Sequence, residues 1–173
     1  TDEADNCTAA PTVAFVSDVN NGEAGCTADP YVVTRTYSVT DDCGNSINVQ
    51  QTITAIDNTN PTASNPAPIN VQCIADVPAP DVSVVTDEAD NCTAAPTVAF
   101  VSDVNNGGAG CVADPYTVTR TYSVTDDCGN SINVQQTITA IDNTNPTASN
   151  PAPINIQCIA GVPAPDVSVV TDE

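Results

Sequence analysis

Apolar and polar residues alternate along several short stretches of this chain, which is the pattern of β-strands with one buried face. In the stretch 116–125, Tyr116, Val118, Tyr122 and Val124 fall on one face, and most residues of the other face are Thr or Ser. Pro, Gly, Asn and Asp separate such stretches, and none has the apolar spacing of a helix. The strands predicted in the middle of the chain are 69–73, 81–86, 97–104, 116–125 and 132–141. The pattern therefore predicts an all-β protein.

The whole pattern occurs twice. Residues 1–88 align with residues 86–173 at an offset of 85, and five of the 88 aligned pairs differ. Near-identical tandem units are typical of arrays that repeat one module end to end. The predicted domains are the C-terminal part of one repeat (1–60), a complete repeat (61–145) and the N-terminal strands of the next (146–173). Those last strands either continue a longer polymer or are donated to the adjacent subunit.

Acidic residues dominate the charge of the chain. Asp and Glu number 22 against two Arg, with no Lys or His, and the net charge is −20. Such a chain repels nucleic acid and anionic membranes and attracts cations. No apolar run approaches the roughly 20 residues that a spanning helix needs, so we expect no membrane insertion. The lack of a His or Lys base and of a phosphate-binding glycine motif argues against an enzyme.

Eight cysteines, four per repeat, predict a disulfide framework formed in an oxidising, extracellular compartment. The short C-x-x-C pairs of zinc sites are absent. Each repeat has few aromatic residues and no Trp or Met, so its core is small. A bridge within a repeat would stabilise it by roughly 3–4 kcal/mol.

Two motifs carry a family resemblance. The runs Y-T-V-T-R-T-Y-S-V-T-D-D-C-G-N (116–130) and I-N-V-Q-C-I-A-D-V-P-A-P (69–80) resemble the hyalin-repeat (HYR-like) group of immunoglobulin-like modules. The resemblance implies tandem immunoglobulin-like β-sandwiches. It also implies a bacterial protein, secreted or attached to the cell surface, in which the modules act in adhesion or as stalks. Four cysteines per repeat exceed the number in the simplest members, so the resemblance does not supply the bridging pattern.

Four cysteines can pair in three ways, and the implied topology favours one of them. Alternate loops of an immunoglobulin-like sandwich lie at the same end, which brings together the cysteines of the loop after the second strand and of the last hairpin. The predicted bridges are Cys92–Cys128, Cys73–Cys111 and Cys7–Cys43. Cys26 and Cys158 would then have partners in adjoining units, and strand donation would join Cys158 of one subunit to Cys26 of the next.

Three acidic or Asn-rich stretches are expected to meet where one repeat joins the next. Two carboxylates about 4 Å apart repel by about 4 kcal/mol at an effective dielectric of about 20, and no Lys is present to compensate them. Oxygen ligands without His or thiolate match Ca²⁺. The predicted ligands at the central joint are Asp57, Asn58, Asn60, Asp87, Glu88, Asp90, Asp126 and Asp127. Their equivalents are Asp2, Glu3, Asp5, Asp41 and Asp42 in the first joint and Asp142, Asn143 and Asn145 in the last.

The linker D-N-T-N-P (57–61) also resembles the calcium-binding linkers of cadherins. The alternative is that these acids are solvated loop residues, because Asp and Asn favour turns by themselves. Arg120, like Arg35, falls in phase with the apolar face of its strand. We expect its stem to cover the edge of the core while its guanidinium meets a carboxylate.

The predicted function is that of a structural repeat in an extracellular filament or adhesin stalk, stiffened by calcium at the joints and by disulfides within the domains. Its partners would be neighbouring repeats or subunits, with a surface or glycan target bound at a tip outside this chain. The alternative is a module that binds a glycan or ice, because Thr-bearing strand faces recur regularly. A self-assembling surface layer is a third hypothesis.

Overall fold

The computed structural model describes residues 5–7 and 9–170, and its regular elements are strands and short 3₁₀ turns. The strands are β1 (Thr12–Asn20), β2 (Tyr31–Thr40), β3 (Ser46–Ala55), β4 (Ile69–Val71), β5 (Thr97–Asn105), β6 (Tyr116–Thr125) and β7 (Ser131–Ala140). The 3₁₀ turns are Ile74–Asp76, Val82–Val84, Ile159–Gly161 and Val167–Val169. This is the all-β architecture that the alternating pattern predicts.

The strands form two sheets. The first has the order β1-β2-β3 and the second the order β4-β7-β6-β5. Consecutive long strands pair antiparallel, whereas β4 pairs parallel with β7. In the β6–β7 hairpin, Gly129 adopts φ +85°, a conformation that residues with a Cβ rarely adopt.

One face of the second sheet is buried by the segment that precedes it. Residues 61–85, here called the covering segment, bring Val85 against Tyr122, Val124 and Val134, which are 0–5% exposed. Polar groups fasten the same segment, since the Tyr122 hydroxyl accepts from the Asp81 N–H at 3.3 Å. The core therefore lies between a sheet and a layer of extended chain and 3₁₀ turns.

The predicted strand at 81–86 is wrong, because the chain forms the 3₁₀ turn Val82–Val84 there. The Asp81 side chain accepts a hydrogen bond from the Ser83 N–H at 2.9 Å and another from the Ser83 hydroxyl at 2.7 Å. Such local bonds compete with strand pairing. The other predicted strands are present, although the first is shorter than expected and spans Ile69–Val71.

The equivalent face of the first sheet is more open. Val49 and Ile47 on β3 are 42% and 65% exposed, and every residue of β2 is half-buried. In the second sheet, the counterpart of Val49 is Val134, which is buried, and the counterpart of Ile47 is Ile132, which is partly buried. Two sheets of almost the same sequence therefore differ in burial, because the covering segment packs on the second.

Arg120 lies in the core face of β6, as its phase in the strand predicts. Its Nε and Nη2 atoms donate to the two Asp103 carboxylate oxygens at 2.8 Å each, and Nη2 also donates to the Pro78 carbonyl at 2.9 Å. The Arg120 side chain is 2% exposed and that of Asp103 33%. Arg35 makes the same pair with Asp18, but both of those side chains are more than one-third exposed.

Replacing each arginine separately measures what burial adds to this ion pair. We expect Arg120→Ala to lower the free energy of unfolding of the second sheet by about 3 kcal/mol, because it removes a buried hydrogen-bonded pair and a contact to the covering segment. The matched Arg35→Ala should cost much less, because solvent screens the exposed Arg35–Asp18 pair. Urea unfolding followed by circular dichroism measures both, and equal effects would contradict the role assigned to burial.

Candidate metal site at the joint

The linker between the two sheets is held by backbone bonds on both sides. The Asp57 N–H donates to the Gly25 carbonyl at 2.6 Å, before β2. Thr62 and Ala89 then exchange two backbone hydrogen bonds of 2.8 and 2.9 Å, which fix the linker to the loop before β5. This linker, together with the loops that contact it, is called the joint below. Its path is defined by contacts rather than by a flexible tether.

Three aspartates from three different segments meet at the joint. Asp57 follows β3, Asp90 belongs to the loop before β5, and Asp126 opens the β6–β7 hairpin. One carboxylate oxygen from each lies within 4.8 Å of those of the other two. Asp57 is 5% exposed and Asp126 6%, while Asp90 is half-buried. The arrangement brings together three negative charges with little access to water.

Local hydrogen bonds hold each carboxylate and leave oxygens unused. Asp57 Oδ1 accepts from the Thr59 N–H at 3.1 Å, and Asp90 Oδ2 accepts from the Cys92 and Thr93 N–H groups at 2.8 Å each. Asp57 Oδ2 and Asp90 Oδ1 are buried and have no hydrogen-bond partner. Buried polar atoms are normally paired. Two carboxylate oxygens of this cluster therefore have no hydrogen bond that would compete with a metal ion, and the cluster could hold one.

Asp126 is held more completely than the other two. Its Oδ1 accepts from the N–H groups of Cys128 and Asn130, and its Oδ2 accepts from the Asn130 side-chain amide, all at 2.8 Å. A carboxylate oxygen has two lone pairs, so Oδ2 still has one free for a further ligand. The Asx turn that shapes the hairpin thus also sets the position of one member of the cluster.

No cationic side chain offsets these charges. The chain has two arginines and no lysine or histidine, and Arg35 and Arg120 pair with Asp18 and Asp103. Backbone hydrogen bonds from Thr93 and then Cys92 lower the pKa of Asp90, which keeps that carboxylate ionised. Because the carboxylate oxygens lie within 4.8 Å of one another, their negative charges repel, which costs free energy. A bound cation would remove this cost.

The other predicted ligands of the central joint take different places. Asp87 accepts from the Ser64 N–H at 3.0 Å and so fastens the start of the covering segment. Glu88 Oε2 is buried without a hydrogen-bond partner. Asn58, Asn60 and Asp127 are exposed.

The two outer joints contain parts of the same set. Asp41 accepts hydrogen bonds of 2.7–2.9 Å from Cys43 and Asn45, in the same arrangement that Asp126 has in its own hairpin. Asp5 accepts from the Cys7 N–H at 2.8 Å. Hydrogen bonding by Asn45 lowers the pKa of Asp41, and the charge of Asp5 opposes that shift. Asp42 in the same hairpin is exposed, Asp2 and Glu3 lie outside the described residues, and Asp142, Asn143 and Asn145 are exposed.

A disulfide crosses the same joint. It connects Cys26, before β2, to Cys128 in the β6–β7 hairpin, over a sequence separation of 102. The predicted Cys92–Cys128 bridge is therefore wrong in this structure. The expectation that Cys26 lacks a partner within this chain and pairs with Cys158 of a neighbouring copy is also wrong in this structure, because Cys26 pairs with Cys128.

The other predicted bridges are not formed. Cys7, Cys43, Cys73, Cys92, Cys111 and Cys158 carry free thiols. Cys73 and Cys111 nevertheless belong to segments in contact. Ile74 follows Cys73 and Gly110 precedes Cys111, and a Cβ built on Gly110 would lie 3.1 Å from the Ile74 side chain. Cys92 lines the same shallow cleft as Cys128 and Asp57. Partial burial, followed by the charges of nearby aspartates, raises the pKa of the Cys92 thiol.

The acids of the site were predictable from the sequence, but the bridge was not. Pairing within repeats leaves out Cys26–Cys128, which joins the two sheets. The available signal was that the assumed pairing left Cys26 without a partner in this chain.

Changing Asp57 to Asn is expected to have opposite effects with and without calcium. In chelator, Asp57→Asn should raise the free energy of unfolding by about 1–2 kcal/mol, since it removes repulsion and keeps the acceptor for the Thr59 N–H. In millimolar calcium the variant should be less stable than the parent chain because a ligand is lost. Thermal unfolding in both buffers measures this, with Asp76→Asn as the control for a change of charge alone. The same sign in both buffers would contradict a cation site.

Tryptic mapping distinguishes the observed disulfide from the predicted one. The chain has Arg only at positions 35 and 120 and no Lys, so trypsin yields the peptides 1–35, 36–120 and 121–173. After thiol blocking and denaturation without reductant, we expect 1–35 joined to 121–173. Cys26→Ser should abolish that product, and Cys7→Ser should leave it. A link between 36–120 and 121–173 instead would mean that Cys128 pairs with a cysteine of the middle peptide.

Comparison with other proteins adds no family to this description. The sequence matches no protein-family profile, and no curated protein is significantly similar to it. In the part of the chain that the structure describes, no helix has the length and apolar character needed to cross a bilayer.

Proposed function

We propose that this chain is a structural segment of an extracellular filament or adhesin stalk, built from immunoglobulin-like repeats of the hyalin-repeat type and stiffened by calcium at its joints. The observation that carries the proposal is the cluster of Asp57, Asp90 and Asp126, two of which have buried carboxylate oxygens without a partner. The all-β fold and the single disulfide among the described residues are compatible with such modules.

Calcium is the cation that best fits the donors. The site offers carboxylate oxygens, which a hard cation prefers, and no histidine. Ca²⁺ holds its ligands at about 2.3–2.6 Å, so two ligands on opposite sides of one ion lie about 5 Å apart. The observed limit of 4.8 Å agrees with three oxygens sharing an ion. Water, backbone carbonyls or Glu88 would complete its shell, and extracellular sites of this kind bind at roughly 0.1–1 mM.

The ion would act on the joint because its ligands come from both sides of the linker. Asp57 lies directly after the first sheet, whereas Asp90 and Asp126 belong to loops of the second. The Cys26–Cys128 bridge crosses the same joint, and the Asp57 to Gly25 hydrogen bond fixes the start of the linker on the side of the first sheet. Independent constraints at one joint limit rotation between the sheets, which is the property that a stalk requires.

The charge and the disulfide support an extracellular location. Disulfides persist in oxidising compartments, where millimolar calcium is also available. The net charge of −20 favours solubility and repels anionic surfaces. These features favour a spacer over a nucleic-acid or membrane partner, and the chain has no His or Lys to serve as a general base.

A ligand-binding module is the second candidate, favoured by a row of paired threonines. On the face of the second sheet opposite the core, Thr117 lies beside Thr139 and Thr119 beside Thr137. A flat, regular hydroxyl surface suits ice or a glycan. Measurement of thermal hysteresis and glycan-array binding would detect either ligand. The stalk proposal expects neither activity in this chain.

Small-angle scattering tests the stiffening of the joint. In calcium, we expect a single extended particle whose maximum dimension does not change on mild reduction. In chelator with the disulfide reduced, the distance distribution should broaden, because only the linker and its backbone bonds remain. Asp57→Asn should show the broad distribution even in calcium after reduction, and Asp76→Asn should behave like the parent. Identical curves for the reduced parent chain in calcium and in chelator would overturn the role of calcium.

A further inference from the structure

The two sheets share their sequence but not their covering layer. Between β1–β3 and β5–β7, only Val32 and Thr117 differ within the paired strands. In the second sheet, the covering segment leaves Tyr122 and Val124 0% exposed and Val134 3% exposed. In the first sheet, Val49, the counterpart of Val134, is 42% exposed. Among the described residues, no such segment packs on this face of β1–β3.

The polar groups that fasten the covering segment are also present in the first sheet. Gln136 Nε2 donates to the Ala67 carbonyl at 2.9 Å, and the Tyr122 hydroxyl meets the Asp81 N–H at 3.3 Å. Their counterparts Gln51 and Tyr37 instead form a weak bond with each other at 3.4 Å. These groups remain available to a segment like the covering segment.

The chain contains a second copy of the covering segment near its C-terminal end. Residues 146–170, here called the tail segment, repeat residues 61–85 with two differences, Val71/Ile156 and Asp76/Gly161. The tail segment exposes large apolar side chains, with Ile159 93% and Val167 90% exposed. Among the described residues, no sheet packs on this apolar surface.

The tail segment already has the conformation of the covering segment. Both contain two 3₁₀ turns at matching positions, Ile74–Asp76 with Val82–Val84 and Ile159–Gly161 with Val167–Val169. Asp81 and Asp166 cap the second turn with φ −132° in each case and with ψ 112° and 113°. A segment that is folded before it binds loses less conformational entropy on binding.

We propose that the tail segment of one copy covers the first sheet of a second copy, as the covering segment covers the second sheet within the chain. The occupant proposed for the open face of β1–β3 is another molecule of this chain. Repetition of this contact is head to tail and does not close on itself, so it generates a filament. The proposal deepens the proposed filament role, because it gives the contact by which copies would add to one another.

The internal joint predicts what this contact would bring together. Asp142 matches Asp57, while Asp5 and Asp41 match Asp90 and Asp126, so the contact would rebuild the three-aspartate cluster between copies. Cys111 matches Cys26 and Cys43 matches Cys128. Of the residues that this contact would bring together, Asp5, Asp142, Cys43 and Cys111 are exposed in the single chain and Asp41 is half-buried.

The cysteine pair would lock successive copies covalently. The thiols of Cys111 and of Cys43 in the next copy would form one disulfide, with an added small-molecule disulfide such as oxidised glutathione as the oxidant. Each bond formed releases two molecules of reduced glutathione, which carry the two electrons and two protons. Both thiols are free and exposed.

Two variants separate the two halves of the contact. Val170 in the tail segment is the counterpart of Val85, which is 5% exposed in the core. Val170→Asp places a charge there, so the tail segment of this variant should no longer bind a neighbour, whereas its first sheet should still accept one. Val49 lies on the exposed face of β3. In Val49→Asp, the first sheet should no longer accept a tail segment, whereas the variant's own tail segment should still bind a neighbour. Neither residue lies in the second sheet, and circular dichroism of each variant verifies that it is folded.

Sedimentation velocity of the full chain in chelator is the test. We expect concentration-dependent oligomers of the parent, monomers of each variant alone, and dimers when the two variants are mixed. A monomeric parent at 100 µM, or variants that oligomerise as the parent does, would overturn the proposal. Working in chelator separates this result from the calcium proposal, which is tested by calorimetric titration of the monomeric Val170→Asp chain.

Non-reducing gel electrophoresis tests the lock. With oxidised glutathione the parent should give a ladder of covalent oligomers. Cys111→Ser and Cys43→Ser should each remove the ladder, and the matched control Cys158→Ser should retain it. A ladder that persists without Cys111, or one that depends on Cys158, would overturn the assigned pair.

Discussion

A β-sheet with one apolar face must have that face covered, and most of this structure depends on how the chain does so. The second sheet is covered by residues that come before it in sequence, so the cover follows directly from the linker that leaves the first sheet. Val85 packs on Tyr122 and Val134, and the same stretch of chain extends back to Asp57. Burial of a small core thus fixes the path of the linker and, with it, the positions of the groups at the joint.

The joint concentrates unfavourable charge where the chain is otherwise well constrained. Asp57, Asp90 and Asp126 are each held by hydrogen bonds from their own turns, so none can swing away from the others at low cost. A structure that keeps three carboxylates close together is suited to a cation, and the adjacent Cys26–Cys128 bridge limits separation of the two sides. Without an ion, the three carboxylates repel one another, whereas a bound calcium ion would hold them together. The stiffness of the joint would therefore depend on calcium.

Several features were accessible from local sequence. The alternating residues of β5, β6 and β7 predicted strands close to those observed, and the phase of Arg120 predicted a buried stem with a carboxylate partner. The acids of the joint were also identified, although the list was longer than the cluster that forms. The turn at Val82–Val84 was missed because Asp81 bonds to Ser83, which strand propensity does not report. The cysteine pairing was wrong because the bridge depends on the arrangement of the two sheets.

The sequence by itself determined the strands, the repetition, the excess of negative charge and the set of candidate ligands, because these depend on residue type and on spacing along the chain. Only the tertiary structure decided which three aspartates meet, which of their oxygens lack a partner, and that Cys26 rather than Cys92 reaches Cys128. It also showed that two sheets of nearly the same sequence differ in burial. These properties depend on the packing of segments distant in sequence, whose approach no local pattern encodes.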